Sequence, residues 1–128
     1  MSFQAQGLLC QYLSEDMSGI NLGTLDLPEI EKDFVKIKIS HASLNFPDWL
    51  MSQGKYQRKP DLPFFLGMEG SGIIESVGPD ANDLLLGDEV MFGGWGHGAI
   101  AESIILPEGL VSLKPKSLKY FNRSAFFK

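Results

Sequence analysis

Residues 33–43 read DFVKIKISHAS, and this stretch decides the fold class that the sequence predicts. Within it, the run VKIKIS at positions 35–40 alternates apolar and polar side chains. Successive side chains of a β-strand point to opposite faces, so this period of two predicts a strand with one buried and one solvated face. Such a strand needs partners, and the rest of the chain offers several short candidates.

The segments on either side are short and separated by glycine and proline. The chain of 128 residues contains 14 glycines and 7 prolines, which favours turns over long helices. Further strands are predicted at 7–13, 71–77, 89–92, 99–106 and 110–113. Loops are predicted at 14–23 and 59–63. Many short strands with such turns are typical of a barrel or sandwich, and we expect a mainly β fold.

Composition and charge restrict the class of partner. Apolar residues make up 44% and charged residues 21%, the balance of a globular domain with a real core. The formal net charge of −5 repels phosphate backbones, so we expect no nucleic-acid binding. No apolar run reaches the ~18 residues that span a bilayer, and the chain does not start like a secretory signal. We therefore expect no membrane partner and a cytoplasmic location.

Cys10 is the sole cysteine, which excludes an internal disulfide and a cysteine-rich zinc site.

Two segments differ from the β pattern. Residues 47–54, PDWLMSQG, predict a short helix, because proline suits the first turn, Asp48 the N-terminal end and Gly54 the C-terminal end. A second helix is predicted to open at 120–128, and the chain stops there after two phenylalanines. A domain does not usually end in this way, so we expect that the chain is truncated or that its end docks on something else.

Two weaker features suggest chemistry without specifying it. Residues 94–99, GWGHGA, fit the dinucleotide fingerprint G-x-G-x-x-A, but a β-branched segment follows where the fingerprint needs a helix. A glycine-rich loop is therefore favoured. His41 and His97 show no zinc-ligand spacing, and a structural role is favoured for His97.

A small basic cluster lies beside Tyr56. It consists of Lys55, Arg58 and Lys59. We interpret the cluster as a solvated loop, with contact to a substrate or cofactor phosphate as the alternative.

An ordered set of motifs is more specific than these features. The set consists of NFPD at 45–48, GKY at 54–56, LP at 62–63, GMEGSG at 67–72, VG at 77–78 and GDEV at 87–90. In this order and near this spacing it resembles the N-terminal domain of medium-chain dehydrogenases/reductases, and it is most similar to their zinc-independent quinone oxidoreductase branch. The resemblance covers residues 33–125.

The resemblance implies a GroES-like, partly open β-barrel with short helices, over residues 1–120. Residues 121–128 would begin the helix that leads into a dinucleotide-binding Rossmann domain, which is absent from this chain. In the family, NADPH lies in the cleft between the two domains, and we expect the full-length protein to be a homodimer. The chain is thus expected to be an N-terminal fragment that is inactive alone.

The resemblance also supplies the candidate site residues. Zinc-dependent members of the superfamily carry a cysteine where this chain has Asn45 and a histidine where it has Met68. Amide and thioether groups are poor Zn²⁺ ligands, so we expect no zinc and no metal-polarised carbonyl. What remains is hydride transfer from NADPH to a quinone or an α,β-unsaturated carbonyl.

By resemblance, Asn45 and Tyr56 border the nicotinamide and the substrate and are the predicted catalytic residues. The amide of Asn45 and the phenol of Tyr56 can each donate a hydrogen bond to an acceptor oxygen, and the phenol can also donate a proton. Asn45 and Asp48 are predicted to contact the cofactor, with helix capping an equal alternative for Asp48. Glu69 is expected to be structural, satisfied by backbone or a basic neighbour.

Two alternatives stay open. The first is an enoyl reductase of the same superfamily, which would use Asn45 and Tyr56 in the same way on enoyl thioesters. The second is a standalone GroES-like interaction module without catalysis, for which the loop at 93–98 is the candidate binding segment. Reduction rates on a quinone and on an enoyl thioester would distinguish the quinone oxidoreductase from the enoyl reductase. Assembly into a ring would identify the interaction module.

Overall fold

The computed structural model describes residues 3–93 and 97–115, and two antiparallel sheets account for most of them. The strands are β1 Phe3–Cys10, β2 Ile20–Leu27, β3 Phe34–Ser43, β4 Phe64–Phe65, β5 Glu69–Val77, β6 Glu89–Phe92, β7 Ser103–Pro107 and β8 Val111–Leu113. One α-helix, α1, spans Phe46–Ser52, and a 3-10 turn spans Glu108–Leu110 within these ranges. The smaller sheet has the order β2-β1-β4, and the larger has the order β7-β3-β5-β6-β8.

The interior position of β3, between β5 and β7, explains why its sequence pattern is the clearest of the chain. Val35 and Ile37 are fully buried, whereas Lys38 is exposed on the other face. The register against β5 shifts after Lys36 and again after Ile39. Irregularities of this kind bend a strand and increase its twist, which helps the larger sheet to curl.

The two sheets meet along β1, and this contact closes part of a barrel. Gly7 forms an isolated bridge with Ala101, and the Leu8 N–H donates to the Ile100 carbonyl at 2.8 Å. A Cβ at Gly7 would stand 2.6 Å from that carbonyl oxygen, so only glycine lets the two backbones approach this closely. The mainly β, partly open GroES-like barrel that the sequence predicts is therefore confirmed.

Three apolar clusters fill the interior of the part of the chain that the structure describes. The largest packs the inner faces of β3, β5, β6 and β7, and includes Val35, Ile37, Ile74, Val90, Phe92 and Leu106. A second cluster contains Cys10, Met51, Phe64 and Leu66, and a third contains Ala5, Leu9 and Phe65. The second cluster matters most for the site, because it joins β1, α1 and β4 and so fixes the helix on the sheet.

Several of the predicted strands are confirmed. The stretch at 33–43 is β3, which begins one residue later than predicted, and residues 89–92 are β6. The strand predicted at 71–77 begins two residues earlier, at Glu69, and the one predicted at 110–113 begins at Val111 after the 3-10 turn.

Three boundaries are wrong. The loop predicted at 14–23 ends early, because β2 begins at Ile20 and pairs with all eight residues of β1. None of the residues of this edge strand is fully buried, so its alternation is too weak to read. The strand predicted at 7–13 is shifted, since β1 spans Phe3–Cys10, and the strand predicted at 99–106 begins only at Ser103.

Two other predictions fall outside the described residues. They are the helix at 120–128, with its domain boundary, and the part of the glycine-rich loop at 94–96. Among the described residues, no helix is both long enough and apolar enough to cross a bilayer.

Candidate active site

The helix α1 forms where the sequence predicts it, and it begins directly after Asn45. Asn45 is extended, with φ −117° and ψ 162°, and Pro47 occupies the first turn, where its missing N–H leaves no intrahelical bond unmade. The helix ends before Gln53, and Gly54 follows with φ +74°, a conformation that favours glycine.

Asp48 joins the start of this helix to a distant segment. Its side chain has 0% exposure, and its Oδ2 accepts the Asn45 N–H at 2.8 Å. Its Oδ1 accepts the Gly67 N–H at 2.9 Å. Burial raises the pKa of the Asp48 carboxyl, and the two N–H donors act in the opposite direction. The structure thus shows the capping role, whereas contact between Asp48 and a cofactor stays a prediction.

Glu69 reaches Asn45 from the other side. It is the first residue of β5, has 3% exposure, and its Oε1 accepts the Asn45 Nδ2–H at 3.3 Å. The NH₂ end of the Asn45 amide therefore faces Glu69, whose carboxyl oxygen accepts. Two buried acids therefore hold Asn45, one through its backbone and one through its amide. The sequence marked Glu69 as structural but gave no sign that Asn45 is among its partners.

Tyr56 lies beyond the other end of α1. It is half-buried, and its ring packs against the cluster of Cys10, Met51, Phe64 and Leu66. In the described part of the chain, its hydroxyl makes no hydrogen bond and is not among the buried polar atoms that lack a partner. The phenol is therefore oriented by its ring and left able to bind a ligand.

Asn45 and Tyr56 flank α1 at opposite ends and do not touch. A helix of seven residues is about 10 Å long, so a ligand that meets both side chains would lie along the helix between them. Between them, α1 presents apolar surface, since Phe46 and Trp49 are 65% and 41% exposed. The rings of Phe46 and Trp49 lie 5.5 Å apart. The spacing of three residues between these aromatics is the signal that both rings lie on one face of the helix, and the sequence analysis did not use it.

The other candidate groups are scattered. His41 is exposed on β3 opposite Ser71, and His97 lies edge-on to Phe64 with ring centroids 5.7 Å apart. Burial raises the pKa of the Cys10 thiol. Over residues 3–93 and 97–115, no three His, Cys, Asp or Glu side chains are grouped in a way that could hold a metal ion.

The basic cluster beside Tyr56 is divided in the structure. Lys55 Nζ lies 3.2 Å from Glu15 Oε1. Arg58 and Lys59 instead line a groove between β2, β7 and the loop at 58–63. Lys55, Arg58 and Lys59 therefore do not form a single phosphate site.

The fold defines a class, the GroES-like barrel domain. Residues 31–116 match the alcohol dehydrogenase GroES-like domain family, and the chain belongs to that family.

Relatives support the narrower resemblance to quinone oxidoreductases of the medium-chain dehydrogenase/reductase superfamily. The quinone oxidoreductase-like protein 2 homolog of Nematostella vectensis is 34% identical over 113 residues, covering 88% of this chain and 29% of that protein. The chloroplastic NADPH-dependent alkenal/one oxidoreductase of Arabidopsis thaliana is 32% identical over 122 residues, covering 85% of this chain and 32% of that protein.

A solved structure agrees with these relatives. The quinone oxidoreductase of Pseudomonas syringae pv. Tomato DC3000 superposes with a TM-score of 0.85 at 25% identity, covering 94% of this chain and 37% of that chain. The predicted resemblance is confirmed. The chain spans about a third of the length of the curated relatives it matches.

Proposed function

We propose that this chain is the substrate-side domain of a zinc-independent, NADPH-dependent oxidoreductase that reduces quinones or α,β-unsaturated carbonyls. The relatives named for quinone and for alkenal/one reduction support the acceptor class, and the name of the second supports NADPH. The activity belongs to a longer protein, in which a dinucleotide-binding domain completes the site.

The observation that carries the proposal is the way Asn45 is held. An amide NH₂ has two N–H donors, and Glu69 accepts one of them. The described residues provide no second acceptor for Asn45 Nδ2, so the other N–H is left to donate to a ligand. An amide does not titrate near neutral pH, and its fixed donor would stabilise negative charge as it develops on an acceptor oxygen.

Tyr56 is the proposed second donor. The Tyr56 hydroxyl has no competing protein acceptor among the described residues, so it is left to donate to a ligand. It would hydrogen-bond the acceptor oxygen and give it a proton as the enolate or hydroquinone forms.

The residues around α1 fit a nicotinamide cofactor, because they combine a spare amide donor at Asn45 with exposed apolar surface at Phe46 and Trp49. When bound, NADPH supplies the hydride. This chain would border the nicotinamide end with Asn45 and exclude water with the two aromatic rings. Asp48 would act indirectly, by holding the segment that carries Asn45.

The donor chemistry at the matching positions supports a zinc-free site. The amide of Asn45 and the thioether of Met68 stand where zinc-dependent members of the superfamily place a thiolate and an imidazole. The acceptor oxygen would therefore be polarised by hydrogen bonds from the protein.

Kinetics on a longer protein test the proposal. We define the extended enzyme as residues 1–128 joined to the dinucleotide-binding domain of the Pseudomonas syringae relative. With NADPH it should reduce a simple quinone and an alkenone. The Asn45→Ala variant should lose most of this turnover, whereas Asn82→Ala, in an exposed loop, should not. A folded extended enzyme that binds NADPH yet reduces neither acceptor would contradict the proposal.

The same kinetics separate the open alternatives. An enoyl thioester reduced much faster than the quinone or the alkenone would identify an enoyl reductase. Ring assembly by the 128-residue chain alone, without hydride transfer by the extended enzyme, would favour an interaction module. We further propose a homodimeric full-length protein in the cytoplasm, without nucleic-acid or membrane partners, which sedimentation and cell fractionation can test.

A further inference from the structure

A groove separate from the proposed active site opens between β2, β7 and the loop at 58–63. Its volume is about 530 Å³, within the range of small-molecule sites. Leu25, Leu27, Phe64, Phe65 and Ile105 provide its apolar walls. None of Asn45, Asp48, Tyr56 and Glu69 lines it.

The rim of the groove is positively charged in a chain of net charge −5. Arg58 and Lys59 line it, and neither forms an ion pair with another described residue. Among the described residues of the lining, Asp61 is the one carboxylate, so their three charged side chains sum to +1. His97 also borders the groove, edge-on to Phe64.

From this arrangement we propose that the groove binds a small monoanionic amphiphile, a carboxylate with an alkyl or aryl body. The apolar walls would bury the body, and burial of apolar surface provides most of the binding free energy. Arg58 and Lys59 would hold the carboxylate at the wetter rim, where exposed pairs contribute modestly and mainly select the charge of the ligand. A single negative charge matches the rim, whereas a doubly charged phosphate would exceed it.

The inference does not depend on the proposed hydride transfer, because the groove and the active site share no polar residue. Binding can therefore be measured on the 128-residue chain without NADPH. The probes are octanoate, octanol and octylammonium, which share an alkyl chain and differ in charge. Calorimetric titration at low ionic strength gives the affinities, and amide chemical shifts locate the site.

We expect octanoate to bind saturably, about three- to tenfold more tightly than octanol, with octylammonium the weakest. Added salt should bring octanoate close to octanol, because the rim charges are exposed to solvent. Shifts should appear at the amides of β2, β7 and the loop at 58–63.

Charge variants test the rim. Arg58→Gln combined with Lys59→Gln should weaken octanoate by about three- to tenfold and leave octanol unchanged. The matched control, Lys32→Gln combined with Lys55→Gln, removes the same net charge outside the groove and should change octanoate by less than about twofold. Asp61→Asn should act in the opposite direction and strengthen octanoate.

A steric variant tests the walls. Ser103→Phe adds a ring to the groove lining and should weaken octanoate and octanol alike. Circular dichroism and urea unfolding establish that each variant is folded.

The proposal is overturned if octanoate shows no saturable binding up to its solubility limit. It is also overturned if octanoate and octanol bind equally well, or if the rim variant and its lysine control weaken octanoate to the same degree.

Discussion

Asn45 occupies its position because two side chains from different segments hold it. Asp48 accepts a hydrogen bond from its backbone N–H, and Glu69 accepts one from its side-chain amide. Each acid is nearly fully buried, and an unpaired buried carboxylate would be costly, so these contacts also satisfy the acids. The geometry of the proposed catalytic amide thus depends on residues that need not touch a substrate.

The hydroxyl of Tyr56 can be tested by the smallest change available, Tyr56→Phe in the extended enzyme. The ring and its packing stay, so loss of one hydrogen bond to developing charge should lower kcat/KM on an enone by about thirty- to a thousandfold. On a quinone the loss should be smaller, because a hydroquinone anion can take its proton from water. Tyr12→Phe, at an exposed tyrosine, is the control. Unaltered kinetics of Tyr56→Phe on both acceptors would reduce Tyr56 to a packing residue.

The raised pKa of Asp48 gives a pH dependence with a definite sign. The folded-state pKa lies above the model-compound value of 3.8, so the native state holds the proton more tightly than the unfolded state. The stabilisation is present in full below about pH 4 and is lost as the pH rises through the folded-state pKa. The free energies of unfolding of wild type and Asp48→Asn are measured in urea from pH 3 to 8 (~5 units). As the pH rises, wild type should lose stability relative to Asp48→Asn.

Asp16 provides the control for this measurement. Hydrogen bonds from Ser18 lower the pKa of the exposed Asp16 carboxyl. The contribution of Asp16 to stability therefore has the opposite pH dependence, and it is lost as the pH falls through the folded-state pKa of Asp16. A pH-independent difference between wild type and Asp48→Asn would contradict the buried, capping state of Asp48.

Zinc content tests the two substituted ligand positions. Because Asn45 and Met68 replace a thiolate and an imidazole, the purified chain should hold no stoichiometric Zn²⁺ after dialysis against zinc and then against metal-free buffer. Elemental analysis that returned one firmly held zinc per chain would refute this prediction.

At the scale of elements, α1 depends on tertiary contacts, since a helix of seven residues is too short to be stable by itself. Met51 packs it onto the second apolar cluster, and Asp48 ties its first turn to Gly67. Gly67 in turn adopts φ +105° and accepts the Ala99 N–H on its carbonyl at 3.0 Å. The helix, the approach to β5 and the segment at 98–100 therefore form one packed unit.

The substitution Gly67→Ala should destabilise this unit strongly. A Cβ there would stand 2.6 Å from the Ile100 backbone nitrogen, in addition to the strain of the positive φ, so we expect a loss of about 3 kcal/mol or more. Urea unfolding of the 128-residue chain measures it.

Two other glycines separate the causes of that loss. Gly87→Ala shares the positive φ but meets no atom within 4 Å, so it should lose only about 1–2 kcal/mol. Gly109→Ala has neither feature and should change stability by less than about 0.5 kcal/mol. Equal losses at Gly67 and Gly87 would show that the close contact with Ile100 does not matter.

The elements differ in how well the sequence predicts them, and burial explains the difference. β3 has partners on both sides and two fully buried side chains, so its alternation is plain. β2 is an edge strand without a fully buried residue, and its pairing with β1 is a tertiary fact that local patterns do not contain. Local patterns likewise contain the signals for α1, at Pro47, Asp48 and Gly54. They do not contain the hydrogen bond between Asp48 and Gly67, which is a tertiary contact.

At the scale of the whole molecule, the family resemblance predicted the barrel because six motifs occur in a fixed order. Single motifs would not have sufficed, as the fingerprint at 94–99 shows: it has the right letters, but the chain continues at Ser103 as a strand. The groove beside β2 was hidden from the sequence, because its lining comes from strands and loops that are far apart along the chain.

The 128-residue chain alone should not bind NADPH tightly. In Rossmann enzymes a glycine-rich turn and a helix N-terminus bind the pyrophosphate, and α1 is instead preceded by Asn45 with its N–H bound to Asp48. Fluorescence titration should show no saturation in the low-micromolar range, whereas the extended enzyme should saturate. Low-micromolar affinity of the short chain would refute this prediction.

The single carboxylate of Asp48 bonds to residues on two segments, one of them 19 positions away in the sequence. Substitutions at 45–48 and at 67–69 should therefore be non-additive, because each changes the setting in which the other acts. A protein engineer who grafts a new acceptor-binding loop onto 45–48 would have to transplant 67–69 with it. Over evolutionary time, drift at one of these segments would likewise select for compensating change at the other.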